Sequence, residues 1–151
     1  MRQSIILCIA LLATSCQPKD VRPGTWIRGE PVETHVANWA FTNDIEEIFI
    51  ETRPWYFVPH STTIWCVEVD GQLYIGSYGE EEKAWERNIA RNPEAKLAVV
   101  DRTYEVTATP VSDPELAATL DARYAQKYDM ADVFGDEVPQ WRYYYVSQPG
   151  D

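Results

Sequence analysis

The chain is poor in the residues that build disulfides and metal sites. Its 151 residues include three cysteines and two histidines, His35 and His60. Cys8 and Cys16 fall near the start of the chain, which leaves Cys66 without an intrachain disulfide partner in a mature domain. Neither histidine stands in a ligand-spaced cluster with Cys, Asp or Glu, whereas structural zinc sites use four such ligands. We therefore expect no metal site and a buried, strand-borne thiol at Cys66.

Positive charge is also scarce. Thirteen Lys and Arg residues oppose 24 Asp and Glu, so the formal net charge is −11. An acidic domain is repelled by the phosphate backbone of nucleic acids, and we expect no nucleic-acid partner. The sequence also lacks a Gly-rich phosphate loop and a Ser–His–Asp order, so no common catalytic motif identifies a reaction.

Long hydrophobic runs are missing as well. After Arg2, the apolar stretch 5–13 has nine residues, which is too short to span a bilayer and is typical of a secretory signal peptide. The residues 13–16, Ala-Thr-Ser-Cys, resemble the lipobox of bacterial lipoproteins, although Ala13 stands where Leu is usual. In that family the cysteine becomes the lipid-modified first residue. The alternative is an ordinary secretory signal that is cut nearby.

The lipobox resemblance implies a division of the chain. It predicts a signal peptide at 1–15, a lipidated Cys16 with a linker at 16–25, and a folded domain at 26–151. Lipid attachment at Cys16 would make the membrane a partner of the protein. Gln17, rather than Asp, after the cysteine implies the outer membrane of a Gram-negative envelope, with the domain facing the periplasm.

The pattern of the remaining residues predicts strands and two helices. Apolar alternation at 62–69 and 72–78 flanks Asp70-Gly71, which indicates a hairpin whose two turn residues have positive φ. Further strands are predicted at 45–52, 96–101, 104–110 and 141–146, with a short extra strand within 34–43. Helices are predicted from 80 to 91 and from 112 to 128. This order favours an α+β fold, an antiparallel barrel of about six strands with two main helices.

Local signals define the ends of these helices. Pro93 disfavours helix at Asn92, which is predicted to be a helix C-cap. Ser112 with Glu115 fits a capping box, and Pro114 falls in the first turn of the second helix.

Trp85, Asn88, Ile89 and Asn92 share one face of the first helix. Two carboxamides beside an apolar pair are unusual on a core face, since each must find hydrogen-bond partners. Asn88 either meets the edge of a ring that carries amides and carbonyls, or bonds nearby backbone.

This motif, Trp85-x-x-Asn88-Ile89-x-x-Asn92-Pro93 after a strand hairpin, resembles the split-barrel flavin-binding superfamily. Its members include the pyridoxamine-phosphate-oxidase-like proteins and the deazaflavin-dependent nitroreductases. The patterns at 64–74, 104–106 and 124–128 are similar to a small family of unknown function within that superfamily. The resemblance spans residues 40–146 and implies a split β-barrel.

The resemblance also implies a flavin-type cofactor, FMN or a deazaflavin. The residues that it places against the cofactor are Tyr78, Lys83, Trp85, Arg87 and Asn88. Lys127, which stands between two tyrosines on the second helix, is predicted to reach an anionic group of the ligand. Its alternative role is to complement the helix dipole while Tyr124 and Tyr128 keep their hydroxyls in water. Haem held by His60 is a further alternative, because some relatives bind haem.

One segment departs from the superfamily. The run 80–82 is Glu-Glu-Glu, and carboxylates at a helix start repel a phosphate. Lys83 and Arg87 would then be a solvated face paired with acids of the same helix, Lys83 with Glu80 and Arg87 with Glu86 or the run itself.

Two functional hypotheses follow. The first is an envelope-anchored lipoprotein whose split barrel binds a flavin-type cofactor and reduces a small molecule. The second is a non-enzymatic lipoprotein on the same fold, with a degenerate cofactor site, that binds another ligand or a protein. The sequence leaves open whether the protein is an enzyme. Many split-barrel relatives are dimers with interface pockets, so a homodimer is also expected.

Overall fold

The structure is a computed structural model that describes residues 24–150. The predicted signal peptide at 1–15, the predicted lipid site Cys16 and the linker up to residue 23 lie outside the described residues.

Strands dominate the fold. They are β1 (Glu30–Pro31), β2 (Ile48–Thr52), β3 (His60–Val69), β4 (Gln72–Tyr78), β5 (Glu94–Val99), β6 (Arg102–Pro110) and β7 (Trp141–Ser147). Within residues 24–150, six strands close an antiparallel barrel in the order β6-β5-β2-β3-β4-β7, and β7 pairs again with β6. The two-residue β1 lies parallel to β6 outside this ring. The predicted α+β split barrel of about six strands is confirmed.

Helices cover the ends and one side of the barrel. They are α1 (Ala84–Arg91), α2 (Pro114–Lys127) and the short α3 (Met130–Phe134). The sequence did not predict α3. No helix of the described part of the chain is long and apolar enough to cross a membrane.

The extra strand predicted within 34–43 is wrong. Ala40–Thr42 forms a turn of 3₁₀ helix instead. The Thr42 hydroxyl donates to the carbonyl of Trp39 at 2.8 Å, and the Asn38 side chain accepts from the N–H of Ala40 at 2.7 Å. Such local side-chain bonds compete with strand pairing. The Trp39 ring is buried edge-on against Tyr104, with 5.1 Å between the ring centroids.

The hairpin turn agrees with its prediction. Asp70 has φ +52° and Gly71 has φ +82°, and Val69 pairs directly with Gln72 across the turn. A two-residue turn with two positive φ values matches the twist of the flanking strands. The turn therefore fixes the register of β3 and β4, which form one wall of the site described below.

Two predicted helix starts differ from the structure. Asp113, not Ser112, is the N-cap of α2, and its carboxylate accepts from the N–H of Glu115 at 3.0 Å. Asp is as good an N-cap as Ser, and this choice places Pro114 at the first helical position. The α1 helix begins at Ala84 rather than residue 80, because Lys83 is extended with ψ 163°. The predicted C-cap at Asn92 is confirmed.

The core has two layers, which follow the alternation of the strands. Inward-facing residues fill the barrel, and Trp85 and Ile89 of α1 close one end of it. The thiol-bearing residue Cys66 is fully buried in this layer, as predicted. Outward-facing residues of β3, β4 and β7 pack under α2, with Leu120 and Tyr124 at the centre of the contact.

Candidate functional site

A cavity of about 760 Å³ lies between the first half of β3, the end of β4 and the start of α1. Its volume falls in the usual range for small-molecule sites, roughly 300–1,000 Å³. Four aromatic side chains line it: Trp65, Tyr78, Trp85 and Trp141. We call this space the aromatic cavity.

Strand register brings three of these rings together. Trp65 faces Gly76 across the β3–β4 pair, and Tyr78 faces Trp141 across the β4–β7 pair. Gly76 is needed here, because a Cβ at this position would lie 2.8 Å from the Tyr124 hydroxyl oxygen and 3.0 Å from Cε3 of Trp141. The absence of a side chain at Gly76 lets Tyr124 and Trp141 pack directly against the strand beside the cavity.

Polar groups gather at one end of the cavity. Ser61, Thr62 and Thr63 of β3 contribute hydroxyls to its lining, whereas the hydroxyl of Ser77 in β4 already donates to Glu86. Lys83 lines it as well, and its Nζ lies 4.2 Å from the centroid of the Tyr78 ring. An ammonium over an aromatic face is held by the quadrupole of the ring. This end therefore offers donors to an anion, while the rings offer faces to a flat heteroaromatic group.

One donor in the wall is unused. Nε1 of Trp141 is buried and has no hydrogen-bond partner among the residues that the structure describes. Leaving a buried donor unsatisfied costs about 1–3 kcal/mol. The nitrogen has no exposed surface, so a ligand acceptor would reach it only after the neighbouring rings shift.

The start of α1 is held by a buried carboxylate. Glu86 is 2% exposed and accepts from the Lys83 N–H at 2.7 Å and from the Ser77 hydroxyl at 2.7 Å. Arg142 donates to it from Nε at 2.8 Å and from Nη2 at 2.9 Å, and the Tyr144 hydroxyl donates at 3.0 Å. We call these groups the Glu86 cluster. They connect β4, β7 and α1 at the edge of the aromatic cavity.

Glu86 stays ionised because the hydrogen bonds from its partners lower its pKa more than its burial raises it. Burial alone would raise the pKa of Glu86, but the bonds from Arg142, from the Lys83 N–H and from Ser77 lower that pKa to about 2. Burial, followed by the charge of Glu86, raises the pKa of the Tyr144 hydroxyl, which therefore remains a donor.

Three of the six predicted cofactor residues come together. Tyr78, Lys83 and Trp85 all line the aromatic cavity. The other three do not line it, and for them contact with a cofactor stays a prediction. The Arg87 guanidinium donates to the carbonyl of Glu82, so it meets the predicted acidic run through backbone rather than through a carboxylate. Asn88 is buried, and its Nδ2 donates to the Thr52 hydroxyl at 3.0 Å.

Lys127 lies at the end of α2 and does not line the aromatic cavity, although its neighbour Tyr128 stacks on Trp65 with 4.1 Å between the ring centroids. Its Nζ donates to the carbonyl oxygens of Thr42 at 2.9 Å and Cys66 at 2.8 Å. Burial lowers the pKa of this ammonium. The alternative in which its neighbouring tyrosines keep their hydroxyls in water is wrong. The Tyr124 hydroxyl donates to the Trp65 carbonyl, and the buried Tyr128 hydroxyl accepts from the Cys66 N–H.

Sequence reasoning missed two residues of the site. Trp141 and Arg142 were assigned only to the final strand, although Trp141 lines the aromatic cavity and Arg142 neutralises Glu86. Arg142 is the one charged residue in the strand Trp141–Ser147, and this interruption of an aromatic run was the available signal. His60 lines the cavity too, and its Nε2 is hydrogen-bonded to the Tyr56 hydroxyl at 2.5 Å. Across residues 24–150, no group of three or more His, Cys, Asp or Glu side chains is arranged to hold a metal ion.

Solved structures with this fold come from several kinds of protein. A putative pyridoxamine 5'-phosphate oxidase from Listeria innocua is 14% identical with a TM-score of 0.54, over 73% of this chain and 89% of that one. An F420-H2 dependent reductase, FDR-A, is 13% identical with a TM-score of 0.51, over 68% and 95%. HutZ, the haem storage protein of Vibrio cholerae, is 14% identical with a TM-score of 0.51, over 74% and 87%.

A further neighbour is a domain-swapped dimer, 14% identical with a TM-score of 0.55, over 69% of this chain and 81% of that one. Identities this low show the fold alone, and that fold is the split barrel. No curated protein matches the chain significantly. The model of one family matches residues 42–139, about two-thirds of the sequence, and the chain therefore belongs to the family described as "Uncharacterized protein conserved in bacteria (DUF2255)".

Proposed function

We propose that the protein binds a flavin-type cofactor in the aromatic cavity and uses it to reduce a small molecule, while Cys16 anchors the chain to the bacterial envelope. The observation that carries the cofactor proposal is the cavity itself. It combines about 760 Å³ of space, four aromatic side chains and a polar end that holds Lys83. An isoalloxazine needs flat apolar faces, and the phosphate of FMN needs donors beyond the ring.

Different side chains of the aromatic cavity would hold the ring and the phosphate of the cofactor. Trp65, Tyr78, Trp85 and Trp141 would contact the ring of the cofactor. Lys83, Ser61 and Thr63 would hold the phosphate. A bound flavin or deazaflavin would supply hydride chemistry. The Glu86 cluster fixes the backbone of Lys83 through its N–H, and the Lys83 ammonium lies over the Tyr78 ring at 4.2 Å from its centroid.

The comparisons support this ligand class. A reductase that depends on F420-H2 and a putative pyridoxamine-phosphate oxidase share the fold, and haem storage by HutZ keeps haem as an alternative ligand. His60 in the cavity lining would be the haem ligand in that case.

A fluorescence titration of the purified full-length protein with FMN, a deazaflavin and haem tests the proposal. FMN is expected to quench the tryptophan emission, because Trp65, Trp85 and Trp141 line the site. Lys83→Ala is expected to weaken the Kd for FMN about tenfold, the equivalent of about 1.4 kcal/mol. The matched control is Lys96→Ala, whose ammonium pairs with Glu105 on the surface and should leave the Kd unchanged. Absence of quenching by all three ligands would overturn the cofactor proposal.

A second candidate, non-enzymatic binding of an uncharged aromatic ligand, is favoured by the scarcity of cations. Of the residues in 24–150 that line the cavity, Lys83 is the one Lys or Arg, and Glu47 adds a carboxylate. Arg142 is already neutralised by Glu86. Riboflavin distinguishes the two candidates. A cofactor site built for FMN should bind riboflavin about tenfold more weakly, whereas equal Kd values for the two would favour the second candidate.

The anchor and the dimer have their own tests. Cys16→Ser is expected to release the chain from the membrane fraction if Cys16 carries lipid. A homodimer, which the domain-swapped neighbour supports, predicts twice the monomer mass in sedimentation equilibrium.

A further inference from the structure

We infer that a cluster of exposed aromatic and apolar residues at one end of the barrel docks into the headgroup–acyl boundary of a bilayer. The cluster, which we call the aromatic patch, consists of Trp26, Trp55, Tyr56, Phe57 and Val58. The inference rests in part on the proposed lipid anchor at Cys16, which would bring this surface to a membrane.

Four consecutive apolar residues are exposed in the loop between β2 and β3. Trp55 is 73% exposed and Phe57 is 85% exposed, and both Tyr56 and Val58 are exposed as well. A single exposed apolar residue needs no explanation, but a contiguous group of large ones marks an interaction surface. Trp and Tyr are the residues that concentrate at membrane interfaces, because each has an apolar ring and a polar edge.

Trp26, which is 66% exposed, lies at the base of this loop. The N–H of Ser61 donates to the Gly24 carbonyl at 3.0 Å, and the N–H of Ile27 donates to the Glu51 carboxylate at 2.7 Å. Glu51 and Ser61 face each other in the β2–β3 register, one pair before the loop begins. The residues nearest the proposed anchor therefore run beside the aromatic loop, at the same end of the barrel.

The loop has a fixed shape that keeps its aromatic residues outward. Phe57 has φ +63°, and its N–H donates to the Pro54 carbonyl at 3.0 Å. Tyr56 is hydrogen-bonded to His60 and packs edge-on against Trp55, with 5.4 Å between the ring centroids. A positive φ is unfavourable for a bulky residue and points to a functional constraint. In this loop, the positive φ leaves the Phe57 side chain exposed, and a bilayer would bury it.

Local charge does not make the patch an acidic surface. The chain carries a net charge of −11, yet the segments 24–29 and 53–67 contain no Asp or Glu and include the exposed Arg28 and Arg53. Arg53 shares a pocket with Glu51, Glu94 and Glu105, so the patch is apolar rather than basic. A second copy is a poorer partner, because a two-fold contact through the patch would bring these arginines near their own equivalents.

Quenching of tryptophan by brominated lipid tests the inference on the full chain. The protein is reconstituted in vesicles of phosphatidylglycerol and phosphatidylcholine that carries bromine at acyl carbons 6 and 7. Trp26 and Trp55 are expected to be quenched, because an interfacial surface enters the bilayer by about 5–10 Å. Phe57→Ser should reduce the quenched fraction by at least half, and it should fold because Phe57 is exposed. The matched control is Val138→Ser, which changes a 57% exposed residue outside the patch.

The outcomes separate the possible partners. All variants keep Cys16, so differences in quenching report insertion of the patch rather than tethering. Equal quenching in the wild type and Phe57→Ser would overturn the inference. A self-association that Phe57→Ser abolishes, without lipid quenching in the wild type, would identify a second copy as the partner and also overturn it. Failure of the FMN titration would leave the quenching result unchanged, so the two proposals fail separately.

Discussion

The protein holds two half-buried cations in two different ways. Arg142 meets the carboxylate of Glu86 inside the barrel wall, and two of its nitrogens donate to that group. Within residues 24–150, Lys127 meets no carboxylate at hydrogen-bond distance. Its ammonium contacts the carbonyl oxygens of Thr42 and Cys66, and the Cys66 sulfur at 3.8 Å. The first cluster is neutral, and the second keeps a net positive charge.

The difference shows which part of the fold is held most firmly. The Glu86 cluster satisfies its acceptors with groups of β4, β7 and α1, so it stiffens the edge of the aromatic cavity where Lys83 sits. Lys127 connects the end of α2 to β3 mainly through a backbone carbonyl, and burial lowers its pKa. Removal of one partner from a paired charge destabilises the folded state strongly because the other charge is left uncompensated, whereas a cation held by carbonyls contributes little net free energy.

The largest effect is expected for Glu86→Ala. The change leaves Arg142 without its counter-ion and removes the acceptor of Ser77 and Tyr144. Breaking a buried pair in this way lowers the free energy of unfolding by about 3–5 kcal/mol. Urea denaturation followed by tryptophan fluorescence measures this loss.

Glu105→Ala is the matched control for this variant. Its carboxylate pairs with Lys96 at 3.1 Å, but on the surface with a 66% exposed side chain. Such exposed pairs contribute at most about 1 kcal/mol. Equal losses for the two variants would contradict the special role assigned to the Glu86 cluster.

The free energy of unfolding should also depend on acidic pH through the same carboxylate, with a slightly smaller effect. The pKa of Glu86 is lowered from 4.5 to about 2, so its contribution is complete above pH 4.5 and is lost as the pH falls to about 2. A shift of this size corresponds to about 3 kcal/mol. Glu86→Gln removes the titrating group, so the difference in unfolding free energy between wild type and variant should shrink across this window. A difference that stays constant from pH 4.5 to 2 would show that Glu86 is not the group responsible.

Much of the barrel could be predicted because its signals are local. The Asp70-Gly71 turn fixes two strands by backbone conformation alone, and the register Val69 to Gln72 follows from it. The extra strand within 34–43 failed because the alternation of Trp39 and Phe41 imitates a strand, while side-chain bonds of Asn38 and Thr42 fold the segment into a turn.

The site was less predictable because its partners are distant in sequence. Glu86 and Arg142 are 56 positions apart, and only the closure of β4 on β7 brings them together. Tyr78, Lys83 and Trp85 were found because they lie within eight consecutive residues of one hairpin and helix. Trp141 joins them across a strand pair that no local pattern specifies.

A smaller loss is expected for Lys127→Met. The variant keeps the aliphatic stem that crosses the packed surface but removes the donor to the Thr42 and Cys66 carbonyls. The lost hydrogen bonds are offset by relief of a buried charge, so the free energy of unfolding should fall by about 1 kcal/mol. The same urea experiment measures it, with Lys96→Met as the surface control. A loss of unfolding free energy as large as that of Glu86→Ala would contradict this expectation. It would mean that the two carbonyl oxygens stabilise the ammonium as well as a carboxylate does.

The smallest effect concerns the alkaline side of the stability curve. Because burial lowers the pKa of Lys127 below 10.5, the unfolded chain binds more protons than the folded chain as the pH approaches that value. Stability from this group therefore rises with pH up to about 10.5, opposite to the loss expected for a lysine with a raised pKa. Lys127→Met has no amine at this position, so the variant should gain less stability than the wild type as the pH rises toward about 10.5. Parallel stability curves for the two proteins would show that Lys127 has an ordinary pKa and is better solvated than its two carbonyl contacts imply.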